Sequence, residues 1–123
     1  METRLSDPEL VRKARDLLGS SDRPEGVIAL WRPVAGAIAS AARELGLQIG
    51  SDFQMVGWMA EEVYAEGFVP LFEPGAVPPA VTWNTSRMAG LALARLAERR
   101  VSPDTPTTRM TVPVRLRLPD DDR

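Results

Sequence analysis

The chain has 123 residues, the length of one ordinary domain, with 44% hydrophobic and 26% charged residues, which excludes disordered, collagen-like and coiled-coil architectures. It contains no cysteine and no histidine, so disulfides, thiol nucleophiles, Ser-His-Asp triads, zinc hydrolases and zinc fingers are excluded with them. The 15 basic and 17 acidic residues leave a net charge of −2, which gives no electrostatic footprint for a phosphate backbone.

In chain order, Asp7-Pro8-Glu9 supplies an N-cap, an N1 proline and an acidic first turn, and Gly19 closes a helix whose stripe is Leu10, Val11, Ala14, Leu17 and Leu18. Residues 26–30 are a short apolar run of β-branched character, predicted as a strand covered on both faces and ending at Trp31. Pro33 opens a crossover helix with Val34, Ile38, Ala41, Ala42 and Leu45 at helical spacing, capped by Gly46. Residues 53–57 form a second strand, so the unit is strand, helix, strand, with a right-handed parallel connection.

From Trp58 to Pro79 four prolines break any long element, leaving a long loop with at most a helical turn near residues 60–66. Val81-Thr82-Trp83 is a short candidate strand, and residues 84–100 a helix with Met88, Ala89, Ala92, Leu93 and Leu96 on one side. Residues 110–118 alternate as a half-exposed edge strand, since Pro113 removes a ladder donor, with Arg115 and Arg117 facing water. Residues 120–123 read as a frayed acidic tail.

The three tryptophans, Trp31, Trp58 and Trp83, each close or directly follow a predicted strand. Ligands of open α/β sheets bind outside the carboxyl ends of the strands, so the indoles can line one crevice and stack on a flat ligand or a sugar ring. Equally, they can plug the sheet end as large amphipathic residues. Arg32, at a helix N-terminus, can hold an anionic group or be solvated. Glu61, Glu62 and Glu66 read as a solvated charge face rather than an acid/base pair. No phosphate loop, dinucleotide fingerprint or metal-ligand spacing occurs.

Four segments resemble the carboxyl-terminal part of LacI/GalR-family transcriptional regulators, whose sensor core has the periplasmic sugar-binding-protein fold. Residues 23–30 and 35–47 are similar to a strand and its following helix. Ile49-Gly-Ser-Asp-Phe-Gln-Met-Val-Gly-Trp58 is similar to the family's "P-x-D-x-x-V-x-G-F" strand, residues 78–82 with Met88-Ala-Gly90 to its "P-P-L-T-T-V … G" segment, and residues 111–116 to its final strand.

The resemblance implies an α/β fold class: a three-layer parallel-sheet lobe of the periplasmic-binding-protein-like fold, truncated. Residues 1–123 then form one fragment, with 80–100 normally packed on an amino-terminal lobe and with the helix-turn-helix missing. It implies a non-catalytic protein without cofactor or metal, a small-molecule effector (a sugar or a flat ring ligand), and homodimerisation. Ligand contacts fall on Trp31, Arg32, Trp58, Met59 and Trp83, and the dimer interface on Gly36, Ala37, Ser40, Val63 and Tyr64, although tight packing on the sheet explains the small residues equally well.

In the family an Asn-Asp pair and an Asp hold effector hydroxyls, and those positions match Trp31, Arg32 and Met59 here, which makes a polar sugar grip doubtful. DNA is reached only through the missing helix-turn-helix, and no membrane is involved. A chain without a signal-peptide core or an apolar span is expected in the cytoplasm. Met88, Leu93 and Leu96 are expected to be buried by a second chain or by a rearranged docking. The rival readings are a solute-binding lobe of a transport system and a dimerisation module with a decayed effector site.

Overall fold

The computed structural model describes residues 7–118, so the acidic tail expected at 120–123 lies outside the described residues. Helix α1 spans Pro8–Leu18, and Asp7 caps it by accepting a 2.9 Å hydrogen bond from the Glu9 amide. Of its predicted stripe, Val11, Ala14 and Leu18 are buried, while Leu17 lies half in solvent. Strand β1, Gly26–Leu30, leads directly into helix α2, Trp31–Glu44. The helix begins two residues before the predicted Pro33, because Trp31 turns the chain with a φ of +70°. Its end is a Schellman closure: Gly46 stands at φ +68°, its amide donates to the Arg43 carbonyl, and the Leu47 amide donates to that of Ala42 at 2.8 Å.

Strand β2 runs Gln54–Ala60, three residues beyond the predicted end at Gly57. The extension follows from register, since Leu30 pairs with Trp58, and Trp58 to Ala60 then pair with Val81 to Trp83 of β3 (Ala80–Trp83). Trp58 is therefore a strand residue and does not follow the strand. The segment to Pro79 is richer than the expected loop: helix α3 (Glu61–Val63), a π-helical turn (Tyr64–Phe68) and a 3₁₀ turn (Val69–Leu71) follow one another. Asn84 caps helix α4, Thr85–Val101, through the Arg87 amide at 2.8 Å. Only Arg115–Arg117 forms β4, so the predicted strand from Met110 is shorter than expected and leaves Pro113 outside the ladder.

The sheet order is β1-β2-β3-β4, with the first three strands parallel and β4 an antiparallel edge, in the expected α/β class. On one face, Ala29, Met55, Met59 and Ala80 pack under α2, α1 and the π-helical turn, and Phe68 and Phe53 complete this core. Arg15 clamps α1 to α2, with Nε and Nη2 both reaching Glu44 Oε2, at 2.7 and 2.5 Å. The opposite face carries Ile28, Leu30, Trp58 and Leu116, all open to solvent. Among the described residues, two of the three expected layers are present.

Candidate functional site

Side chains alternate across a strand, so Ile28 and Leu30 of β1, Val56 and Trp58 of β2, and Val81 and Trp83 of β3 share the open face. Trp58 and Trp83 are diagonal neighbours in the register, with ring centroids 5.2 Å apart and planes tilted by 46°. Trp31 reaches back over the end of β1 to meet Trp83 edge-on, at 5.7 Å and 84°. One continuous row of three indoles thus crosses the carboxyl ends of the three parallel strands, where open α/β sheets bind ligands.

Trp31 is the only non-glycine residue with positive φ among the described residues, and a bulky side chain in the left-handed region stores on the order of 1–3 kcal/mol of strain. The indole is 56% exposed, while Trp83, flanked on both sides, is half-buried. The row offers apolar area and π-faces, the chemistry for stacking on a planar ring or on the apolar face of a sugar.

Two other predicted ligand residues lie elsewhere. Arg32 does not point at an open anion site: its Nε–H donates to the Gly67 carbonyl at 3.0 Å and ties the start of α2 to the π-helical turn. Gly67 leaves room for this contact, since a Cβ there would stand 2.9 Å from Arg32 Cδ and 2.8 Å from Val63 Cγ1 and would push one of them aside. Met59 projects to the core face and is 1% exposed. The structure brings the three tryptophans together and leaves Arg32 and Met59 out of their row.

Of the predicted interface residues, Gly36, Ala37 and Tyr64 are buried within one chain, the first two in the packing of α2. Their small size already serves the close approach of α2 to its neighbours, and only Ser40 and Val63 retain partial exposure. Met88, Leu93 and Leu96 find no burial within the chain: α4 projects from the sheet, and Leu93 is 66% exposed. The expected rearranged docking is therefore absent within a single chain.

The acidic cluster is divided between two structural tasks. Glu61 Oε1 accepts from Arg117 Nη2 at 2.5 Å and stands 4.0 Å from Arg115 Nη1. Arg117 was expected in water; instead its guanidinium lies 5.4 Å over the Tyr64 ring. Glu62 is held below the ordinary carboxylate range chiefly by its own backbone amide, against a desolvation that raises it, with further help from Ser86 and Thr85 at the start of α4. No cluster of three or more acidic residues placed to hold a metal occurs among the described residues, and none of their helices is long and apolar enough to cross a membrane.

Sequence reasoning passed over Phe68 and placed Tyr64 at a dimer interface; their stacked rings, 5.9 Å apart, lie in the core, where Phe68 closes the space at Gly57. Their spacing of four residues just before Pro70 was the available signal. On the helical side, a shallow cleft of about 400 Å³ opens between Ala42, Leu47, Ile49 and Phe72. It contains none of the predicted ligand residues.

No family sequence profile matches the chain, and no curated protein does. Solved structures do. A transcriptional regulator LacI from Bacillus cereus subsp. cytotoxis NVH 391-98 superposes with a TM-score of 0.72 at 15% identity, over 91% of this chain and 37% of that one. A LacI family transcriptional regulator from Enterococcus faecium with bound ribose gives 0.67 at 18% identity, over 89% and 37%. Another, from Bifidobacterium animalis subsp. lactis DSM 10140, gives 0.67 at 20% identity, over 87% and 36%. The chain spans little more than a third of the length of these structures, and its fold is that of part of a LacI-family transcriptional regulator.

Proposed function

We propose that the chain is the effector-binding and dimerisation lobe of a LacI-type transcriptional regulator, itself non-catalytic and cytoplasmic. The observation that carries this reading is the row of Trp31, Trp83 and Trp58 across the carboxyl ends of three parallel strands, in a fold shared with a regulator that holds ribose. In the whole protein a small molecule at this row shifts the balance between two conformations and changes DNA affinity at a distant site. The residues proposed to meet it are Trp31, Trp58 and Trp83. The ligand is less hydroxylated than a typical sugar, because the row supplies stacking faces and few hydrogen-bond acceptors.

Titration of tryptophan emission with ribose and, separately, with adenine tests this reading. Saturable quenching by either, lost in Trp83→Ala, supports it, with adenine the stronger quencher. Emission unchanged by both overturns the sensor reading and leaves a dimerisation module with a decayed effector site. That second reading is favoured by one specific observation: Arg32 and Met59, two of the positions matching the family's polar grip, are engaged inside the fold.

A further inference from the structure

Helix α2 starts at Trp31, and its 14 residues carry the chain about 20 Å away from the indole row. At that far end lies the cleft of about 400 Å³, between the last turns of α2 and the segment 71–76. Ala39 and Ala42 present only methyl groups there, which leaves the hollow open. Its larger apolar walls are held by contacts within the chain. The Phe72 ring rests on Phe68 with centroids 4.9 Å apart, the Leu47 amide donates to the Ala42 carbonyl, and Ile49 bridges to Phe53. A ligand entering the cleft therefore has little left to order.

Two opposite charges on the rim are not used by the fold. Arg43 and Glu73 both line the cleft, and among the described residues neither side chain has an ion pair or a hydrogen bond, with the other or with any other group. The neighbouring Glu44, by contrast, is held by Arg15 at 2.7 Å. A guanidinium receives a carboxylate through two parallel N–H donors, and a carboxylate accepts from an ammonium. A cation and an anion that share one cleft without pairing leave a gap that a zwitterion bridges. Other ligand chemistries fit less well: a phosphate meets the Glu73 carboxylate, a simple amine meets the Arg43 guanidinium, and sugar hydroxyls find few partners on alanine, leucine, isoleucine and phenylalanine walls.

We propose that this cleft is a second small-molecule site, which binds an apolar α-amino acid. The ligand's carboxylate meets Arg43, its ammonium meets Glu73, and its side chain lies among Leu47, Ile49 and Phe72. The site shares no residue with the indole row, so it stands whether or not the tryptophans take an effector. Both charges are exposed and screened by water, which limits each to a small share of the binding and sets the expected dissociation constant on the order of 1 mM.

Amide shifts of the nitrogen-15-labelled whole chain, titrated separately with L-phenylalanine, phenethylamine and N-acetyl-L-phenylalanine, test the proposal. Phenethylamine lacks the carboxylate, and the acetylated compound lacks the ammonium. The expected result is saturable shifts at Leu47, Ile49 and Phe72 with L-phenylalanine, and binding about three- to fivefold weaker for each of the other two compounds. Arg43→Gln should weaken L-phenylalanine by the same factor and leave phenethylamine unchanged, and Glu73→Gln should weaken L-phenylalanine and spare the acetylated compound. Both side chains are exposed, so the variants keep the wild-type far-ultraviolet circular dichroism, and the three-compound comparison on the wild type stands without them. Shifts that do not saturate below about 10 mM overturn the proposal, as do equal affinities for the three compounds or shifts confined to the tryptophan row. Undiminished binding of L-phenylalanine by Arg43→Gln and by Glu73→Gln overturns it as well.

Discussion

At Gly57 a single hydrogen atom decides how the core closes. A Cβ there would lie 2.7 Å from both Met59 Cε and Phe68 Cζ, and although the methionine end can swing away, the Phe68 ring is fixed between Tyr64 and Phe72. Gly57→Ala therefore overpacks a filled site and is expected to cost about 1–3 kcal/mol, read as a lower urea midpoint at unchanged slope. An unchanged midpoint would show that the π-helical turn yields freely. Trp31 presents the opposite balance. A buried tryptophan cut back to glycine loses several kcal/mol, yet here the indole is largely exposed and its backbone sits in a region that glycine enters without strain. Relief of about 1–2 kcal/mol offsets the lost edge contact of about 0.5–1.5 kcal/mol and the added freedom of the unfolded chain, so Trp31→Gly should change stability by less than ~1 kcal/mol. A loss of several kcal/mol in chemical denaturation would mean that the indole, and not the strand geometry, holds the turn.

Among the elements, those with an uninterrupted period were legible in the sequence and those defined by register were not. Helices α1, α2 and α4 and strand β1 follow from caps and apolar spacing in 8–44 and 85–101, with ends within two residues of the prediction. Strand β2 was cut short at Gly57 because Trp58-Met59-Ala60 has no strand signature of its own and is held by pairing with β3. The turn containing Tyr64 and Phe68 was hidden because one residue per turn more than an α-helix disguises its period. The indole row was legible as three strand-end tryptophans, whereas the commitment of Arg32 to Gly67 depends on a turn 35 residues away. Helix α3, just before that turn, reaches α4 through Glu62, whose pKa is lowered first by its own amide, against a desolvation that raises it, and then by Ser86 and Thr85. A carboxyl with a folded pKa below its unfolded value contributes stability above the unfolded pKa, and that contribution disappears as pH falls through the folded pKa. The anchoring of the first turn of α4 should accordingly weaken only in acid, below the ordinary glutamate range of about 4.3. Amide shifts of Thr85 and Ser86 followed by NMR should titrate with that low midpoint in the wild type and lose it in Glu62→Gln. A midpoint at the ordinary glutamate value would dissolve the link between α3 and α4.

On the scale of the whole molecule, what the sequence could not convey is which of its apolar surfaces meets its own chain. Leucines and methionines of α4 have the spacing of a buried stripe, and Ile28 and Leu30 have the character of a doubly covered strand, yet both surfaces are open in a single chain. Periodicity records that a surface needs cover and says nothing of where the cover comes from. Dimerisation, as part of the proposed function, has a thermodynamic consequence. If folding of each copy is coupled to pairing with the other, unfolding releases two chains from one particle, and stability depends on protein concentration. A tenfold rise in concentration then adds about 1.4 kcal/mol per dimer, which at ordinary denaturant sensitivities moves the urea midpoint up by roughly 0.5 M. A chain that is stable alone shows one midpoint at every concentration. Denaturation curves at two protein concentrations would distinguish a fold stabilised by its partner from one stable alone, and a midpoint independent of concentration would assign the fold's stability to the single-chain core around Phe68, Phe53 and Leu18.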